Sequence, residues 1–180
     1  MLVLIPEAES VVASHRADLD VAARLGVPAH VTVLYPFVPP ERVDNAVISD
    51  LAGAVGSVAC FDVTFARLRW FERSVLWLAP EPVDPFRALT AAVQGAFPGY
   101  LPYGGVHADL VPHLTIGQDQ PYPHFESAHR AIEPSLPFTA RVSNAVLMQG
   151  SLEQRSWRVT AELPLSGPRV GPATALAGKE

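Results

Sequence analysis

Among its 180 residues this chain has one cysteine, one lysine and no apolar run long enough to cross a bilayer. Each shortage excludes something. Cys60 has no second cysteine to pair with, and its setting in Val58-Ala59-Cys60-Phe61 reads as a small buried hydrophobe rather than a reactive thiol. No Cys/His spacing matches a zinc site, so no metal is expected. The lysine is Lys179, the arginines are scattered, and the formal net charge is −5. A protein that tracks a long duplex carries a basic stripe, and none is present here. The opening Met1-Leu2-Val3-Leu4-Ile5 stops at Pro6-Glu7 without a basic flank, too short for a signal peptide. No segment reaches the ~18 apolar residues of a membrane span. The expectation is a cytoplasmic monomer with neither a membrane partner nor long duplex nucleic acid. Arginine in place of lysine, with abundant Ala and Pro, looks like a GC-rich bacterial genome, which is an association and not physics.

The chain does hold one short pattern twice: His30-Val31-Thr32-Val33 and His113-Leu114-Thr115-Ile116, 83 positions apart. With 6 His and 7 Thr in the chain, two accidental His-x-Thr matches have odds of roughly one in fifty, before the apolar neighbours are counted. Both copies follow a proline closely, Pro28 and Pro112. Proline suits a strand entrance because it donates no ladder hydrogen bond. On a strand, residues i and i+2 share a face. Each copy therefore sets an imidazole beside a hydroxyl, with its apolar residues turned to the core.

The rest of the chain reads as an α+β protein of one domain, residues 1–165, with a Gly/Pro/Ala-rich tail over 166–180. Strands are expected at 1–5, 30–35, 61–70 and 75–79. Helices are expected at 7–19, from Pro39-Pro40 to about 55, from an Asp84 cap to 97, and at 122–132. Residues 20–28 and 98–112 read as loops. Residues 138–148 and 157–165 read as a second hairpin turning near Gly150-Ser151.

The stretches His30-Val-Thr-Val-Leu-Tyr-Pro-Phe37, Val75-Leu-Trp-Leu-Ala-Pro80 and Pro112-His-Leu-Thr-Ile116 resemble the 2H phosphoesterase superfamily, in particular the bacterial 2′-5′ RNA ligase-like proteins. The resemblance covers about residues 1–165. It implies a bilobal fold, with two pseudo-twofold-related lobes whose antiparallel sheets line a central groove and whose helices lie outside. It also implies cofactor-free hydrolysis of a 2′,3′-cyclic or related nucleotide or RNA-terminal phosphate. Carried over, His30 and His113 are the catalytic pair, and Thr32 and Thr115 bind the phosphate. The alternatives are a 2′-5′ RNA ligase, an RNA-end exonuclease, or a non-catalytic nucleotide-binding module using the same groove. The partner expected in each case is a small cyclic nucleotide or an RNA terminus.

The chemistry is sound without the name. In-line displacement at phosphorus needs a base on one side and an acid on the other, and two histidines supply both. Threonine hydroxyls can donate to the non-bridging oxygens as charge builds there. Tyr35 and Phe37, directly after the first motif, and Tyr103, before two glycines, are candidates for stacking on a base. Trp77 and Trp157 read as packing residues. His107 reads as a solvated loop residue. Arg67, Arg69 and Arg158 suit either a phosphate or solvent.

Overall fold

A computed structural model of the chain describes residues 1–106, 110–153 and 155–167. Among these, eight strands and five α-helices follow in the order β1 (Leu2–Leu4), α1 (Pro6–Leu19), α2 (Val21–Arg24), β2 (His30–Thr32), α3 (Asn45–Gly56), β3 (Phe61–Phe71), β4 (Val75–Glu81), α4 (Asp84–Ala96), β5 (Leu114–Gln118), α5 (Tyr122–Ile132), β6 (Phe138–Val142), β7 (Asn144–Gln149) and β8 (Arg158–Pro164). The strands form one sheet in the order β6-β3-β4-β5-β2-β1-β7-β8, antiparallel at every pairing. It divides into two halves of four strands. The motif strands β5 and β2 are innermost and meet at a seam where Val31 pairs with Leu114. The sheets of the two expected lobes are thus continuous across the seam.

Alternation decides what each face carries. Val31, Val33, Leu114 and Ile116 are at most 1% exposed. They join Leu76, Leu78, Val63, Phe65, Ala145 and Leu147 in a core shared with Val12 of α1, Leu51 and Val55 of α3, Leu89 and Val93 of α4 and Phe125 of α5. Burying these side chains is the main driving force for the layered arrangement. Helices cover this face so closely that a Cβ at Gly117 would lie 2.6 Å from Leu19 Cβ and 2.8 Å from Phe125 Cε1. The interleaved residues His30, Thr32, His113 and Thr115 turn to the opposite face and stay half-buried.

Several boundaries differ from the sequence reading. Residues 20–28 are not all loop. Asp20 Oδ1 accepts the Ala22 N–H at 2.9 Å and caps α2. Strand β2 ends at Thr32, short of Tyr35. Pro39-Pro40 starts only a 3-10 turn, and Asp44, accepting the Val47 N–H at 2.9 Å, caps α3. Asp84 is the first residue of α4 rather than its cap, which is Val83. Residues 138–148 are two strands. β6 pairs with β3 at one edge of the sheet, and β7 pairs with β1 and β8 in the other half. The polar pair Ser143-Asn144 interrupts the alternation at the crossing. Ser166, expected in the tail, bonds Val58 and Cys60 through its backbone. Residues 168–180 lie outside the described residues, as does His107. No helix among the described residues is long and apolar enough to cross a membrane.

Candidate active site

The seam fixes the geometry of the candidate residues. With Val31 opposite Leu114, the antiparallel register sets His30 opposite Thr115 and Thr32 opposite His113. The four side chains form a two-by-two block on one face, with the histidines at diagonal corners. Diagonal neighbours across antiparallel strands are about 7–8 Å apart at the backbone. Both rings and both threonines line one groove of about 340 Å³.

The two imidazoles are held alike. His30 Nδ1 lies 2.7 Å from the Pro28 carbonyl and His113 Nδ1 lies 2.7 Å from the Val111 carbonyl. A carbonyl only accepts, so each Nδ1 carries a proton and donates it. In a neutral ring this leaves Nε2 as the acceptor, free to take a proton. The short residue-to-carbonyl loop, i to i−2, is the same in both motifs: the accepting carbonyl is that of Pro28 in one and of Val111, just before Pro112, in the other.

Burial lowers the basicity of both rings. His30 is pushed down from 6.5 to about 4, chiefly by burial, with the Arg16 guanidinium, the amino terminus and His113 adding to it. The Pro28 bond opposes the shift. His113 is also lowered by burial, against the Val111 bond. Both are therefore neutral in the empty groove at pH 7.

The backbone around the block is gripped from below. Arg16 of α1, 2% exposed, donates from Nε to the Thr115 carbonyl at 3.2 Å and from Nη2 to the Val27 carbonyl at 3.3 Å. Its charge is met by Asp20 at 2.7 Å. Glu9 accepts the Ala29 N–H, and Ile5 donates to the Ala29 carbonyl at 2.8 Å. Thr90 of α4 donates to the Val33 carbonyl at 3.0 Å. The plane of the His113 ring is set by T-shaped contacts with Phe71 at 5.0 Å and Trp77 at 5.8 Å.

A profile of the 2′-5′ RNA ligase superfamily matches residues 5–153, most of the chain. The chain belongs to the 2′-5′ RNA ligase superfamily. Among curated proteins no sequence matches it significantly. Solved structures of like fold include TT0787 of Thermus thermophilus, with TM-score 0.66, 17% identity, and coverage of 93% of this chain and 97% of that one. Escherichia coli LigT complexed with 3′-AMP matches with TM-score 0.56 and 19% identity, over 92% and 96% of the two chains. LigT complexed with ATP matches with TM-score 0.54 and 19% identity, over the same shares. At these identities the likeness shows the fold, a mixed helix and sheet architecture of the 2H phosphoesterase kind.

Within this superfamily fold, the remaining candidates divide. Tyr103 lines the groove beside the block, held in the left-handed region (φ 51), and shares a hydrogen bond with the Thr32 side chain. Its N–H donates to the Tyr35 carbonyl at 2.6 Å. Burial raises the Tyr103 hydroxyl above its usual 10.0, against the Thr32 bond. Tyr35 also lines the groove, 52% exposed. Phe37 does not. It packs on Phe97 at 5.1 Å and Tyr100 at 5.3 Å, because the chain has left the sheet after Thr32 and turned its ring into the α4 side of the core.

Two of the groove residues that sequence reasoning missed lie near strand ends. Trp157, read as packing, lines the groove and lies 6.3 Å from the Tyr35 ring. It is anchored by Nε1 donating to the Ser151 carbonyl at 2.8 Å. Gly150 leaves the room for it, since a Cβ there would lie 2.4 Å from Trp157 Cγ. The other residue is Gln118, at the end of β5. It borders this groove and a second cavity of about 620 Å³ lined by Phe71, Glu72, Ser74 and Val111. His113 and Tyr103 border both cavities as well. No periodicity marks either residue. Arg67 pairs with Glu81 at 3.7 Å in solvent, and Arg158 is exposed on β8. Among the described residues no cluster of three or more His, Cys, Asp or Glu side chains is set to hold a metal.

Proposed function

We propose that the groove is the active site of a metal-independent phosphodiesterase that opens a 2′,3′-cyclic nucleotide or RNA-terminal phosphate. One observation carries this reading. The two histidines stand at opposite corners of one block, each with Nδ1 tied to a carbonyl, leaving Nε2 to exchange protons. A phosphorus atom over the block has an imidazole towards each end of its in-line axis. The neutral ring removes a proton from water, the water oxygen bonds to phosphorus, and the other ring, protonated, gives its proton to the departing ribose oxygen. Thr32 and Thr115 are the donors to the non-bridging oxygens. Tyr35 and Trp157 offer aromatic surface to the base. LigT, a relative in fold, has been solved with 3′-AMP and with ATP, so nucleotides are the ligand class this reading looks to.

The block is alike at both ends, so the orientation of the substrate decides which histidine is base. The pH dependence does not need that choice. One ring must be neutral and the other protonated, and both titrate below 6.5 in the free protein. The expected kcat/KM profile is a bell with its maximum on the acid side of 6.5, its lower limb near 4 and a steady fall above neutrality. The bell of kcat lies at higher pH, because the bound anion favours the protonated ring. A kcat/KM profile flat from pH 5 to 9 overturns the acid–base pair.

Product analysis after incubation with 2′,3′-cyclic mononucleotides tests the reaction itself, and a single 2′- or 3′-monophosphate is expected. Excess EDTA is expected to leave the rate unchanged, and a strict divalent-ion requirement would point to another chemistry. The name of the superfamily also points to ligation. Joining of 2′,5′ ends without net hydrolysis in the same assay would favour that direction.

A further inference from the structure

The charges around the groove are not those of a general phosphate trap. Of the described residues lining its two arms, none is lysine or arginine. The fixed charges there are two carboxylates, Asp20 on the His30 side and Glu72 on the His113 side. Asp20 is neutralised by Arg16 from behind the sheet. Glu72 is exposed at the β3–β4 turn and has no ion pair among the described residues. On this face of the sheet Arg69 sits opposite Trp77. Trp77 in turn sits opposite Thr115, so Arg69 is two strand spacings from the block, about 10 Å. Arg73 is spent over the Tyr122 ring at 3.9 Å. Among the described lining residues, the groups that can become cationic are the two histidines, and one of them must stay neutral to serve as base. These described residues thus offer a place for one negative charge.

From this we infer that the site sorts its ligands by charge: it takes a singly charged phosphodiester and turns away a doubly charged phosphomonoester, its own product included. The inference rests on the proposed hydrolytic reading and names the substrate class within it. Hydrolysis breaks the bond between phosphorus and one ribose oxygen and forms a bond from phosphorus to the water oxygen. Above the second phosphate pKa of about 6 the product also releases a proton and gains a second charge. Among the described lining residues the second charge meets no further cation, and Glu72 borders the same space, so the product is expelled. The overall −5 acts in the same sense on polyanions, with a reach set by ionic strength.

Two inert probes test this. One is 3′-deoxyadenosine 2′-phosphate and the other is its methyl ester, which differs by one methyl group and, above pH 6, by one charge. With no 3′ hydroxyl neither can cyclise. Calorimetry at pH 8 is expected to show the ester binding at least about ten-fold tighter, as one uncompensated charge at close range demands. At pH 5, where both probes carry one charge, the gap is expected to close to within about two-fold. Taking the ratio at each pH cancels the protonation of His30 and His113, which both probes meet equally. Gln118→Arg places a cation between the two arms and is expected to reverse the preference at pH 8 and to introduce product inhibition. Equal or tighter monoester binding at pH 8 by the unaltered protein overturns the inference, and does so alone if cyclic phosphates are still turned over. Absence of turnover together with absence of binding by either probe overturns the hydrolytic reading as well.

Discussion

Replacing His30 or His113 with alanine is expected to lower kcat by ~10²–10⁴ in either case, the usual weight of a positioned acid or base. The fold should survive. Each ring is half-buried, and its one described protein hydrogen bond is to a local carbonyl. The double variant should lose little more than the poorer single variant, because the two groups act in one event and their effects do not add. Steady-state rates on a 2′,3′-cyclic nucleotide, with circular dichroism as the check on folding, decide this. Activity retained in both single variants would remove the pair from the mechanism. Losses that multiply in the double variant would mean the rings act in separate steps.

The second large effect is expected in stability and lies underneath the site. Arg16 and Asp20 are paired at 2.7 Å with side chains 2% and 3% exposed. Arg16→Met leaves the Asp20 carboxylate buried without its partner and strips a donor from the Thr115 and Val27 carbonyls. Breaking a buried pair from one side costs about 3–5 kcal/mol. Urea unfolding should show stability falling by that amount, through a lower midpoint with little change in slope. Arg16→Met with Asp20→Asn should recover part of the loss, since no charge is then stranded. A midpoint unchanged in the single variant would mean that water reaches the pair and that it does not hold the seam.

These two expectations differ in how far the sequence announced them. The His-x-Thr copies are legible because strand alternation alone converts an i, i+2 spacing into a shared face, and the apolar partners Val31 and Leu114 point the other way. The long strands β3 and β4 and the helices α1, α3, α4 and α5 follow from the same periodicities. Arg16 was not legible. On α1 it occupies the stripe of Ala8, Val12 and Leu19, and a charged residue in that stripe marks either a solvated face or a buried ion pair. Only the fold, which brings Asp20 and two carbonyls to it, tells them apart. Trp157 and Gln118 failed to stand out for a related reason. Whether a residue near a strand end faces a groove depends on the neighbouring strands, and the order of strands here is not the order of the chain. The break at Ser143-Asn144, which sends β6 to one edge and β7 into the other half, left only a slight interruption in the hydrophobic pattern.

That crossing also governs how the molecule assembles as it is made. β1 is made well before one of its two neighbours, β7, which enters with Val146. β3 likewise waits for β6 to cover its outer side. Until residues 138–149 have been synthesised, both halves carry an open flank of unbonded amides. Nascent chains truncated before residue 138 are consequently the species that a chaperone should bind most avidly, and folding completes in both halves at nearly the same moment.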